Sequence, residues 1–104
     1  MDEAKRKGLE ALKESLILAV EDMQQAHRAA NALREDTSDD DALRRSLEAA
    51  MAVCYMRPFT RGAWQLPGKY VPKGQPHKDV HEILHALRDN VYAHLSSATS
   101  ASIR

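Results

Sequence analysis

The stretch whose reading decides the fold is PHKDVHEILHALRDNVYAHL, Pro76 to Leu95. Within it Val80, Ile83, Leu84, Leu87, Val91 and Leu95 recur at three- and four-residue steps, the spacing of one face of an α-helix. Pro76 suits the first turn, where its missing N–H costs no hydrogen bond and its fixed φ is already helical. The periodicity predicts a helix over about 76–97. Its other side carries His77, His81, His85, Arg88 and Tyr92. The small, polar tail from Ser96 to Arg104 is expected to fray.

Working backward, Phe59 to Gln75 contains Gly62, Gly68, Gly74, Pro67 and Pro72 with Trp64 and Tyr70 between them. Such punctuation predicts a long ordered loop over 58–75 ahead of the last helix. The aromatics are read as pinning that loop to the helices, with base stacking as the alternative. Before it, Leu43, Leu47, Ala50, Met51 and Cys54 form a second apolar stripe on a helix over about 40–56, which Pro58 is expected to end. Ser38, with Asp41 three residues on, is the expected cap. The first and longest helix, about 2–34, bears a stripe of Leu9, Leu12, Leu16, Ala19, Val20, Met23, Ala30 and Leu33. His27 beside it is read as an ordinary helix histidine.

These elements predict an all-α fold, an antiparallel bundle of three to four helices in a single domain spanning residues 1–104. Scarce glycine and aromatics among abundant Ala and Leu argue against a sheet-rich fold. Cys54 stands alone, which excludes an intrachain disulfide and fits a reducing compartment. The apolar run at Leu16–Val20 is too short for a signal peptide or membrane span, so a cytoplasmic protein with no membrane partner is expected.

Formal charge is zero overall but unevenly spread. Residues 1–48 hold eight Lys/Arg against twelve Asp/Glu, residues 49–78 five against none, and residues 79–104 two against three. The balanced total argues against a general nucleic-acid coat, whereas Arg57, Arg61, Lys69, Lys73 and Lys78 form a local band suited to a phosphate backbone. The plainer alternative is a solvated loop beside acidic helices.

Two motifs share the last helix. His81-Glu82-Ile83-Leu84-His85 matches H-E-x-x-H, in which two histidines one turn apart bind zinc and the glutamate activates water. A catalytic zinc needs a third protein ligand. Val91 stands where one spacing would put it, and His94 would face about 180° away on a continuous helix. We therefore assign no metal site and no cofactor. His77, His81 and His85 remain a stripe that would hold a transition metal only adventitiously.

The other motif is Arg88-Asp89-Asn90-Val91-Tyr92-Ala93-His94, an R-x5-H that pairs a permanent cation with an imidazole titrating near neutrality. In its order of elements, long helix, charged loop, second apolar helix and then Leu-Arg-Asp-Asn followed by an aromatic and Ala-His, the chain resembles the HEPN superfamily of small all-helical ribonucleases. The Arg57-Pro58-Phe59 turn adds weakly to the likeness. The resemblance implies metal-independent cleavage of RNA. His94 would act as general base or acid towards the ribose 2′-hydroxyl, Arg88 would stabilise the charged phosphorane, and 2′,3′-cyclic phosphate ends would result. Asp89 and Asn90 would support the pair, and Arg57, Arg61, Lys69 and Lys73 would hold RNA.

The resemblance also implies a homodimer, a toxin-like or antiviral role and an antitoxin protein as a further partner. Geometry adds its own constraint. Six helical residues turn through about 600° and rise about 9 Å, leaving Arg88 and His94 about 120° apart. Either the helix breaks near Asp89-Asn90, or two chains bring their motifs together across a two-fold axis. Two features depart from the family. Only ten residues follow His94, so the bundle is expected to be incomplete alone, and Ser96 replaces the tyrosine of the antitoxin-regulated subset. The alternatives are a non-catalytic helical module binding a protein partner or nucleotide and, more distantly, the zinc hydrolase.

Overall fold

The computed structural model describes residues 2–62 and 65–103, and for His94 and residues 96–103 it describes the backbone alone. Three α-helices follow in order: α1 Glu3–Glu35, α2 Asp41–Thr60 and α3 His77–Ile103, with a 3-10 turn at Gly68–Tyr70 between the last two. The fold is all-α, with no strand among the described residues. No helix among them is long and apolar enough to cross a membrane.

Each helix start has its own chemical reason. Asp2 caps α1 by accepting a hydrogen bond from the Lys5 N–H at 2.7 Å, and Asp40 caps α2 through the Leu43 N–H at 3.1 Å. Ser38 is not the cap the sequence predicts. Asp36 accepts hydrogen bonds from its N–H and Oγ, a local Asx arrangement that turns the chain before α2 begins.

α2 runs to Thr60, past the end expected at Met56 or Arg57. Pro58 lies inside its last turn with its ring fully buried. Proline removes one helix donor, but burial of the ring and the bond from Thr60 Oγ1 to the Met56 carbonyl, 2.9 Å, sustain one more turn. Arg61 closes the helix and Gly62 follows at φ 73°, the left-handed conformation in which glycine carries no Cβ strain. The Pro58 carbonyl then accepts the Leu66 N–H at 2.7 Å, tying the loop back to the helix it has just left. α3 likewise runs past its expected end near Ser97, to Ile103.

α1 lies against α2, and α2 against α3. Both pairs are antiparallel. Asp22 meets Arg57 and Arg61, Gln25 meets Cys54 and Asp36 meets Arg44, so α2 numbers fall as α1 numbers rise. Likewise Tyr55 meets His81, and Leu87 and Val91 lie beside Glu48 and Arg45. The central α2 buries Ala52 and Met56 with Pro58.

The face α1 buries overlaps the expected one only at Ala19. Ser15, Ala19, Asp22, Ala26 and Ala29, at steps of four and three, are its buried residues. Leu9, Leu16 and Val20 are 50%, 37% and 56% exposed. The buried stripe thus lies roughly a third of the circumference from the stripe of large aliphatics. Small side chains let two helix axes approach closely, so the alanine face takes the contact with α2. Leu9, Leu16 and Val20 of the leucine face are left exposed, and Leu12 and Met23 are only partly covered.

Candidate functional site

Arg88 sits on α3 two turns after His81, half-buried in the helix surface. Its side chain is only 16% exposed. Nε and Nη2 both donate to Asp89 Oδ1, at 3.2 and 2.8 Å, and the guanidinium lies 5.3 Å from the centre of the Tyr92 ring. His85 Nε2 reaches Asp89 Oδ2 at 3.6 Å from the other side. Asp89 therefore joins two of the polar residues on this face. Asn90 lines a shallow groove of about 180 Å³ between α2 and α3 with Glu48, Leu87 and Val91. The His94 side chain lies outside the described residues.

Of the two ways to bring Arg88 and His94 together, a break in the helix is ruled out. α3 is continuous through Asp89 and Asn90. Positions 88 and 94 of a continuous helix lie about 120° apart around its axis, with about 9 Å of rise between them.

The H-E-x-x-H pair is also split. His81 turns inward, its Nδ1 3.0 Å from the Tyr55 hydroxyl and its ring edge-on to Phe59 at 4.7 Å. His85 turns outward to Asp89. Among the described residues no three His, Cys, Asp or Glu side chains are grouped to hold a metal ion. Burial and the charge of nearby His85 lower the His81 pKa below 6.5, against a smaller opposing effect of Glu82. Burial raises the Tyr55 pKa. A neutral imidazole and a protonated phenol make a matched hydrogen-bonded pair. The cluster packs α3 on α2 and leaves neither histidine aimed at a shared point.

The basic band divides between structure and surface. Arg61 and Arg57 both turn to the carboxylate of Asp22, which is 6% exposed, Arg61 in direct contact and Arg57 at 3.7 Å. Arg61 keeps 21% of its side chain in solvent and Arg57 48%. Lys69 lies over the Tyr70 ring at 5.5 Å, and Lys73 and Lys78 are exposed. Trp64 lies outside the described residues. Tyr70, the other aromatic read as pinning the loop, is 40% exposed, whereas Phe59, inside α2, packs against Tyr55 and His81. Cys54 is half-buried and donates weakly to Gln25 Oε1 at 3.5 Å. His27 bonds Asn31 one turn on, at 3.0 Å.

Three concavities lie away from Arg88, along α1. One of about 510 Å³ is lined by Leu16, Val20, Met23, His27 and Leu66 among others. It meets a second of about 360 Å³ that runs over Leu9, Leu12 and Ile17. At its other end it shares Met23 and His27 with a third of about 280 Å³, whose floor is Met51 and Tyr55 of α2 and whose far wall is Val80 and Leu84 of α3. Together they form one apolar trough along a face of α1. The sequence marks these residues as apolar but as core. Asp22, buried among the described residues and paired with Arg57 and Arg61, carries only one sequence signal: it falls on the alanine stripe at helical spacing.

Comparison of the chain with protein-family models, with curated proteins and with solved structures finds no match in any of the three.

Proposed function

We propose that the chain is a helical binding module whose trough on α1 receives a helix of a protein partner. The observation that carries this reading is the line of Leu9, Leu16, Ile17 and Val20, between 37% and 56% exposed along one helix. Single exposed leucines are ordinary, whereas a contiguous apolar groove rimmed by charge marks a contact surface. Anchors at three-, four- and seven-residue spacing are what one helix offers another. Leu9→Glu with Val20→Glu tests it, since both positions are half in solvent and tolerate the change. Proteins retained by the immobilised wild-type chain are expected to be lost by this variant. Equal retention by both refutes the reading.

A second reading is the HEPN-type, metal-independent ribonuclease, with a toxin-like or antiviral role in the cytoplasm and an antitoxin among its partners. What favours it is the way Tyr92 and Asp89 hold Arg88 on the helix that also carries His94. An arginine fixed in this way loses little freedom on meeting a phosphate. On an unbroken α3 the reaction requires the motifs of two chains. His94 of one would relay the proton of the 2′-hydroxyl, and Arg88 of the other would neutralise the phosphorane. Asp89 and Asn90 would support the site, with Lys69 and Lys73 as its exposed cations and Arg57 and Arg61 contributing only what Asp22 leaves free. RNA incubated in EDTA with wild type, His94→Ala and Arg88→Ala decides it. Cleavage by wild type alone, leaving 2′,3′-cyclic phosphate ends, is the expected result. No cleavage by the folded protein removes this reading.

A further inference from the structure

The proposed binding trough is open along its length, and the same helix that forms its wall carries a ridge suited to fill it. α2 ends at Thr60, where Arg57 and Arg61 meet Asp22. The part of α1 before Ser15 therefore runs on past the end of α2. This projecting segment bears Leu9 and Leu12, and the segment beside α2 bears Val20 and Met23, all on one face. Leu16 lies midway between them.

We infer that the occupant of the trough is a second copy of this chain, with the two α1 helices packed antiparallel about a two-fold axis at Leu16. Leu16 then meets its own copy, Leu12 meets Val20, and Leu9 meets Met23. Each chain offers both the ridge and the trough, as an isologous interface requires. Overlap of residues 4–28 gives about 37 Å of shared helix, and a strip about 10 Å wide along it covers roughly 400 Å² per copy. That alone is too little. Seated in the trough, however, the projecting segment also meets Leu66 of the loop and Val80 and Leu84 of α3. Leu66 and Leu84 are already only 7% and 8% exposed, so this wall adds chiefly Val80, which is 49% exposed, and the two sides together bury about 1,000 Å², the lower bound for a specific interface. The inference rests on the reading of the trough as a contact surface and adds the identity of its occupant.

The experiment is the mass of the full chain in solution by light scattering, for wild type and for Leu16→Glu with Ile17→Glu, two positions that are 37% and 50% exposed in the single chain. Wild type is expected at twice 11.6 kDa and the variant at half that mass with unchanged helical circular dichroism. Register is read by a short thiol crosslinker in a Cys54→Ala background. Leu16→Cys joins two chains, whereas Leu9→Cys, whose copies stand about 21 Å apart, does not. A monomeric wild type overturns the second-copy assignment, as does a dimer that survives both glutamates. If the monomer still retains proteins that Leu9→Glu with Val20→Glu loses, the trough binds another partner. If it retains none, both readings fall.

Discussion

Replacing Asp22 by alanine leaves two arginines facing a hole. The carboxylate is 6% exposed and takes Arg61 directly and Arg57 at 3.7 Å. Arg61 already has its Nη1 buried without a hydrogen-bond partner, so it has no other acceptor to turn to. Deleting one partner of a buried pair costs about 3–5 kcal/mol, because the remaining charge stays desolvated. Here Arg57 is 48% exposed and regains water freely, which places the loss at the low end, about 3 kcal/mol. A chain of 104 residues unfolds with about 0.2 kcal/mol per kelvin of entropy, so Tm is expected to fall by about 14 °C. Circular dichroism at fixed protein concentration measures it; the concentration is fixed because any self-association would add its own term. Asp22→Asn, which keeps an acceptor, should lose less. Asp22→Leu with Arg61→Met should recover most of the loss, since an apolar pair of similar volume carries no buried charge. An Asp22→Ala chain melting within about 4 °C of wild type, a change of under about 1 kcal/mol, would refute the reasoning and make the contact a surface ion pair.

Stability should also fall in mild acid through His81. Its folded pKa lies below 6.5, so as pH falls the unfolded chain binds the proton first. The contribution is complete above about pH 6.5 and disappears as pH drops through the folded value. His77, Asp79, Glu82 and His85 on α3 and Tyr55 on α2 are the titratable groups nearest to it in sequence or contact, and His81→Phe should flatten the Tm profile between pH 7.5 and 5.5 while keeping the ring contact with Phe59; an unchanged slope counts against the assignment. Asp36, whose pKa hydrogen bonds from Ser38 lower below 3.8, acts in a separate and more acidic window. Gly62→Ala places a Cβ at φ 73° and should lower stability by about 1 kcal/mol in a urea titration; no loss would show that the turn closing α2 relaxes freely.

Periodicity located all three helices because each carries enough apolar residues at helical steps. On α1 it was right only in part, since Ala19 of the predicted stripe is buried while Leu9, Leu16 and Val20 are exposed, and the reason is physical. Two stripes coexist on that helix, and a hydrophobicity count favours the one with leucines, whereas helix contact favours the one whose side chains are small. Ser15 and Asp22 hide the true contact stripe because both are polar. Ser15 satisfies itself on the Ala11 carbonyl at 3.0 Å, and Asp22 depends on arginines 35 and 39 positions away, a pairing no local pattern contains. Pro58 misplaces the end of α2 for a similar reason, since ring burial is a tertiary effect. The polar face of α3 was legible as a list of residues. That His81 turns in to Tyr55 while His85 turns out to Asp89 follows from what lies across from each, and sequence spacing treats them alike.

The two readings of this chain place different demands on symmetry, and the register of the helices separates them. Gln25 bonds Cys54, and Glu48 borders Leu87, Asn90 and Val91. Moving from Cys54 to Glu48 along α2 advances about 9 Å, which brings the level of Arg88 near Asn31 of α1. Asn31 stands about 22 Å along the helix from Leu16, so a two-fold axis at Leu16 puts the two Arg88 side chains at least about 45 Å apart. A phosphodiester bridged by Arg88 of one chain and His94 of another needs them within hydrogen-bonding reach of the same group. One axis cannot serve both. A dimer lost with Leu16→Glu and Ile17→Glu, found together with RNA cleavage that needs both Arg88 and His94, would therefore require a second contact through α3; the dimer without cleavage leaves α1 as the surface by which this chain does its work.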